Sequence, residues 1–197
     1  MFIRSERLFL RPGWPEDREE LLNRINDWAV VRQFEVPAPG PLDLHAARDG
    51  QGRRFPHFVV TLPTSDGSRL IGCVGLTCGA HGPELVYWTA PEYWGRGYAT
   101  ESGRAVLSLA RTLGHRRITA IHFADNSASQ RVLGKLGFHA TGETYRRLCP
   151  ARRVLAASLV HCRDLVGRDL VGRDLGEPSD CDAFASEYGR NDERRAA

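Results

Sequence analysis

The 197-residue chain predicts an α+β, or mixed α/β, fold: a central, mostly antiparallel twisted sheet flanked by helices. Three observations carry this expectation. Between Phe55 and Thr89 three apolar, strand-like segments follow one another, with connections too short for a crossover, so they pair as antiparallel neighbours. From Tyr98 the apolar spacing changes to three and four residues, which puts one face of a helix in the core. Strand character then returns at 117–123, so the helix over 98–113 makes one parallel step in the sheet.

Taken in order, residues 2–10 read as a strand, with Leu8 and Leu10 on one face, Phe9 on the other, and Arg11-Pro12-Gly13 ending it. Pro15-Glu16-Asp17 looks like a helix start, and Leu21, Leu22, Ile25 and Trp28 follow at helical spacing. Val36-Pro37-Ala38-Pro39-Gly40-Pro41 breaks that helix, and residues 43–49 form a short second one. Strands are expected over 55–62, 69–78 and 84–89, the first closed by the turn signal Pro63-Thr64-Ser65-Asp66-Gly67. In the helix over 98–113 the core stripe is Ala99, Gly103, Val106, Leu107, Ala110 and Leu113, and Gly114 ends it. Gly103 costs about 1 kcal/mol of helix propensity relative to alanine, so it calls for a close neighbour that needs the space. Asp125, Asn126 and Ser127 offer N-cap chemistry to a second helix whose stripe is Ala128, Val132, Leu133 and Leu136. Strands over 138–145 and 153–161 complete a domain of residues 1–162.

Residues 163–197 differ. Arg163-Asp164-Leu165-Val166-Gly167 recurs as Arg168-Asp169-Leu170-Val171-Gly172 and in part as Arg173-Asp174-Leu175-Gly176. A five-residue period suits neither helix nor strand, and so few short repeats build no solenoid. The segment reads as an acidic appendage, mobile in solution. Its 6 arginines face 9 acids, whereas residues 1–162 carry 21 basic and 15 acidic side chains. The mildly basic body suits a small polyanionic ligand. No dense basic patch interleaved with aromatics points to nucleic acid. No run approaches the roughly 18 apolar residues of a membrane span, and the charged start is unlike a secretory signal, so a cytoplasmic protein is expected. Five cysteines without a CxxC pair argue against a zinc site or disulfide framework, and no metal is expected.

The stretch that carries chemistry is Tyr93-Trp94-Gly95-Arg96-Gly97-Tyr98-Ala99-Thr100-Glu101. An apolar strand feeds a Gly-rich turn that opens a helix, which leaves backbone N–H groups free at the positive end of the helix dipole. A dinucleotide-binding fold would require GxGxxG in an early strand–helix–strand unit. Here the pattern stops at Gly95-x-Gly97 and follows several antiparallel strands.

Four stretches stand out: Ser5-Glu6-Arg7-Leu8-Phe9-Leu10-Arg11-Pro12; Glu84-Leu85-Val86-Tyr87-Trp88 with Ala90-Pro91; Trp94 to Glu101; and Asn126-Ser127-Ala128-Ser129 with Val132-Leu133 and Lys135-Leu136-Gly137-Phe138. In these four places the chain resembles the GCN5-related N-acetyltransferases, in the branch that includes the ribosomal-protein alanine acetyltransferases. The likeness covers about residues 2–161. It implies acetyl-CoA as donor and an amine acceptor, either a protein N-terminus or a small molecule, with the protein a monomer or homodimer. The resemblance makes Trp94, Gly95, Arg96, Gly97, Tyr98, Ala99 and Thr100 cofactor-binding residues, with the pyrophosphate on backbone N–H groups from Gly95 to Ala99. Trp94 stands where many members carry Gln or Arg, so the burden falls on backbone groups and Arg96. Pantetheine would lie between the strand of Val86, Tyr87 and Trp88 and the strand over 117–123, which splay apart. A main-chain N–H near Tyr87 or Trp88 would then meet the oxyanion.

The reaction needs a base for the amine proton and tolerates an acid for the departing thiolate. Glu84, two residues ahead of the expected cofactor-pairing segment, is the candidate general base, with Glu35 and His122 in reserve. Asn126 and Ser129 lie three apart and face one side of a helical first turn. The resemblance places Asn126 on pantetheine or a site water and Ser129 near the sulfur or phosphates. Many relatives carry a tyrosine acid later in this helix. Val132 and Leu133 stand there in this chain, which leaves Ser129 or water to protonate the thiolate. Lys135 is a candidate phosphate contact. A non-catalytic acyl-CoA-binding module is the alternative reading. Acceptor choice is expected from residues 31–49 and from strand ends near 140–153, where Arg146, Arg147, Arg152 and Arg153 make a basic rim.

Overall fold

The computed structural model describes residues 1–32, 55–149 and 151–165. Its strands are β1 (Ile3–Arg4), β2 (Phe9–Arg11), β3 (His57–Thr64), β4 (Gly67–Gly79), β5 (Gly82–Thr89), β6 (Arg117–Phe123), β7 (His139–Cys149) and β8 (Val154–Asp164). Its helices are α1 (Asp17–Ile25), α2 (Trp28–Val31), α3 (Tyr98–Thr112) and α4 (Ser127–Lys135). The strands form one sheet in the order β1-β2-β3-β4-β5-β6-β8-β7. Each neighbouring pair is antiparallel except β5–β6, the parallel step anticipated across α3.

The two sheet faces are covered differently. Leu85, Val74 and Leu76 join Val106, Leu107 and Ala110 of α3 and Leu133 and Leu136 of α4 in the main core. On the other face Leu21 of α1 packs with Val59 and Leu70, and Cys73 and Trp88 lie against them. Strand alternation therefore aims Leu85 and Tyr87 at α3 and α4, and Glu84, Val86 and Trp88 at the α1 face.

Several boundaries differ from the sequence expectation for physical reasons. The strand over 2–10 is two strands, because the Ser5 N–H donates to the Leu8 carbonyl at 3.0 Å and turns the chain back on itself. The first helix stops at Ile25. The Asp27 carboxylate accepts the Ala29 N–H at 2.8 Å and starts α2 afresh. The Pro-rich break, the short helix over 43–49 and Glu35 lie outside the described residues. At the other end, β8 runs through Asp164, and buried Leu165 donates its N–H to the Arg116 carbonyl at 2.8 Å. Arg163 and Asp164 of the first repeat thus complete β8 against Ile118 and Arg117 of β6, Leu165 follows them, and the rest of the repeats lie outside the described residues.

Gly103 meets the neighbour its helix position called for: a Cβ there would lie 2.8 Å from Leu136 Cδ1. Gly137, at φ +77°, follows the end of α4. Among the described residues no helix is long and apolar enough to cross a membrane.

Candidate active site

The site begins with a failure of pairing. β5 and β6 share one register pair, Glu84 with Thr119, reinforced where the Thr119 hydroxyl donates to the Pro83 carbonyl at 3.2 Å. Beyond Glu84, the edge of β5 that faces β6 carries no ladder. Its polar groups, and those of the facing edge of β6, are therefore available to something laid between the strands. Val86, Tyr87 and Trp88 lie in this unpaired part, while their other edge stays paired with β4. The expected splay is thus present. The Tyr87 hydroxyl reaches across it to the Ser129 carbonyl in the first turn of α4 at 3.4 Å. Burial pushes the Tyr87 hydroxyl up to about 12, against the effect of that bond, so it stays a neutral phenol.

At its far end β5 runs through a short 3-10 turn, Pro91–Tyr93, into the Gly-rich loop. Gly95 and Gly97 both take left-handed backbone angles, at φ +74° and +82°. A Cβ on Gly97 would meet only Arg7 Nη2, at 3.5 Å, so the backbone angle rather than space is what calls for glycine there. The first bond of α3 joins the Glu101 N–H to the Gly97 carbonyl at 3.0 Å. The N–H groups of Tyr98, Ala99 and Thr100 therefore precede any carbonyl one turn back and form an anion-binding end. Tyr98 and Thr100 turn their side chains into the core, so both offer an anion only backbone N–H groups. Arg96 is exposed, and the Trp94 indole is fixed to the Thr89 carbonyl at 2.6 Å.

Sequence reasoning missed what holds this loop. Arg7, in the β1–β2 turn, forks onto Glu101 with Nε and Nη2 both at 2.8 Å. Its Nη1 donates to the Arg96 carbonyl at 3.1 Å, and its guanidinium lies 4.7 Å from the centre of the Tyr98 ring. Glu101 also accepts from the Arg7 N–H and the Ser5 hydroxyl, both at 2.7 Å. Burial drives the Glu101 carboxyl upward, but the bonds from Ser5 and Arg7 and the Arg7 charge outweigh it and hold Glu101 below its ordinary range.

Across the splay, Asn126 caps α4 by accepting the Ser129 N–H on its side-chain oxygen at 3.0 Å. The cap brings Asn126 and Ser129 together beside Tyr87. Lys135 is not part of this group. It is exposed in the last turn of α4, about 13–14 Å along the axis from the Asn126 cap.

Half-buried Glu84 lies on the α1 face, opposite the helices that frame the Gly-rich turn and Asn126. Two other features stand near this face. His81, in the β4–β5 turn, meets the Tyr145 hydroxyl at 3.0 Å, and Tyr145 donates to Glu143 at 3.1 Å. At the β7–β8 tip, Arg152 donates to the Arg32 carbonyl at 3.0 Å and to Asp125 at 2.5 Å, over the Phe123 ring. Arg152 is thus a tie rather than a free charge of the basic rim. His122 is buried, its Nδ1 is 2.7 Å from the Phe123 carbonyl, and its ring centre lies 4.9 Å from that of His161. Cys73 is no thiolate nucleophile, because burial, and secondarily Asp17, push its thiol up to about 12. Among the described residues no three His, Cys, Asp or Glu side chains gather to hold a metal ion.

Known proteins share this fold. The structure superposes on the GNAT-family acetyltransferase of Bacillus anthracis with a TM-score of 0.65 at 22% identity, over 84% of this chain and 99% of that one. It matches the ribosomal L7/L12 alpha-N-protein acetyltransferase RimL, solved with coenzyme A, at a TM-score of 0.64 and 14% identity, over 83% and 98%. At these identities the likeness is one of fold. Sequence goes further: the chain is 40% identical over 153 residues to YoaA, an uncharacterized N-acetyltransferase of Bacillus subtilis (strain 168), covering 71% of this chain and 84% of that protein. Since the family model described as acetyltransferase (GNAT) domain also matches residues 7–139, the chain belongs to the GNAT family and is an N-acetyltransferase.

Proposed function

We propose that the protein moves an acetyl group from acetyl-CoA directly to a primary amine, with the donor in the β5–β6 splay and the amine approaching from the α1 face. The observation that carries this reading is the single β5–β6 register pair at Glu84 and Thr119. Past that pair β5 has no ladder to β6, and β5 leads on into the turn of Gly95 and Gly97, while β6 leads to the capped start of α4. Pantetheine would pair with the vacant β5 edge, and the pyrophosphate would sit on the N–H groups from Gly95 to Thr100, with Arg96 beside them. A β5 main-chain N–H near Tyr87 or Trp88 would meet the oxyanion.

Glu84 would take the amine proton from the α1 face, directly or through a water. Ser129, whose carbonyl already holds Tyr87, is the side chain available near the departing thiolate. Direct transfer fits the setting of Cys73, whose buried thiol stays protonated at neutral pH and so is poorly suited to attack an acyl group. The fold shared with RimL makes a protein N-terminus the first acceptor class to examine, ahead of small amines.

The test follows free thiol from acetyl-CoA while N-terminal peptides and small amines are offered in turn. Thiol release that depends on one acceptor class, with the acetylated amine recovered, supports the reading. Tight acetyl-CoA binding with no acceptor consumed across the panel would instead indicate a binding module.

A further inference from the structure

We propose that Arg7 is a positioning residue for the donor's pyrophosphate: it locks the peptide between Arg96 and Gly97 so that the Gly97 N–H faces the anion. This rests on the reading of the Gly95–Gly97 turn given above. A trans peptide points its C=O and the following N–H in opposite directions. Arg7 Nη1 holds the Arg96 carbonyl at 3.1 Å on the β1–β2 side, so the Gly97 N–H is turned away from that side. A flip of this peptide would change ψ of Arg96 and φ of Gly97, and Gly97 is left-handed and lacks a side chain. On the Gly97 side nothing in the stereochemistry opposes the flip, which would aim a carbonyl at the phosphate.

The same guanidinium is anchored where it cannot drift. Glu101 takes its Nε and Nη2 at 2.8 Å each and is itself held by Ser5 and the Arg7 N–H. The fork also neutralises a carboxylate in the first turn of α3, a charge that would otherwise lie close to a pyrophosphate. Arg7 touches neither donor nor acceptor in this scheme. Its effect passes through one peptide group.

The experiment compares acetyl-CoA with S-acetylpantetheine, which lacks every phosphate, as donors for wild type, Arg7→Ala and Arg7→Lys. The lysine keeps a charge for Glu101 but cannot also hold the Arg96 carbonyl in a planar fork. Both variants are expected to raise the KM for acetyl-CoA by about tenfold, the scale of one hydrogen bond to a charged group, with kcat changed less than about twofold. Turnover of S-acetylpantetheine should match wild type, which shows at the same time that the variants are folded. Equal losses on both donors, or an acetyl-CoA KM that does not move, would overturn the role of Arg7. A wild-type enzyme that uses both donors equally well would overturn the phosphate-loop reading, and the role of Arg7 with it.

Discussion

At the scale of single residues, the proposed mechanism separates binding from proton transfer. In it the turn at Gly95 and Gly97 would meet the cofactor with backbone, since its neighbours Tyr98 and Thr100 bury their side chains. Glu84 stands at the one place where β5 and β6 still pair, on the face opposite α3 and α4. In the proposed mechanism a carboxylate there would act on the acceptor and have little to offer the donor. Glu84→Gln keeps the shape and removes the proposed base. It is expected to lower kcat by about 100-fold at neutral pH, the lower end of what general-base catalysis contributes, and to abolish the acidic limb of the pH–rate profile. Binding of CoA measured by calorimetry should stay within about twofold of wild type, since the change leaves the turn intact. A variant with the wild-type kcat and pH profile would remove Glu84 from the mechanism.

At the scale of elements, the question is which contacts local pattern can reveal. α3, β6 and α4 were legible because each carries its own period and its own stop, with Gly114 and Gly137 both left-handed at helix ends. The parallel step and the splay followed from that order together with the family resemblance. The far end of β7 was not legible. Eight of its residues, His139 to Arg146, are exposed on both faces, so no alternation marks its length, and β8 decides it. The Arg7–Glu101 clamp joins residues 94 apart in the chain, and His122 finds His161 across two strands, so neither has a local signature. Gly103 is the intermediate case, where a local cost in α3 pointed correctly to a non-local neighbour. Gly103→Ala should be near neutral. Its methyl gains about 1 kcal/mol of helix propensity and presses on the flexible end of Leu136 at 2.8 Å. Gly103→Val adds bulk that Leu136 has no room to clear and should cost about 1–3 kcal/mol, read as a lower melting temperature. Equal melting temperatures for the two variants would show that α3 and α4 can move apart freely.

At the scale of the whole molecule, the first seventeen residues tie the sheet to helices on both of its faces. Arg7 reaches Glu101 of α3, and Arg11 grips Asp17 of α1 with two bonds of 2.6 Å, its guanidinium 3.9 Å from the centre of the Trp14 ring. For Asp17 burial pushes the carboxyl upward, yet the Arg11 fork, the Trp14 N–H and the Arg11 charge outweigh it, and its pKa is lowered, as that of Glu101 is. The sign of the linkage follows. Each group is more acidic in the folded chain than unfolded, so folding is favoured by its charged form. That stability is fully present above the ordinary values of 3.8 for Asp and 4.5 for Glu, and it is lost as pH falls through the lower folded values. Wild type and the double variant Asp17→Asn, Glu101→Gln should therefore differ most in melting temperature near pH 7. The difference should hold down to about pH 5 and narrow steadily toward pH 3, as acid removes from wild type the charges that the variant already lacks. The narrowing should come with loosening of the β1–β2 segment, seen as faster amide exchange at Leu8 and Leu10 than in the β3–β4 ladder. A gap that stays constant from pH 7 to pH 3 would mean that these carboxylates are held by packing, and that their charge contributes nothing to closing the N-terminal segment onto α1 and α3.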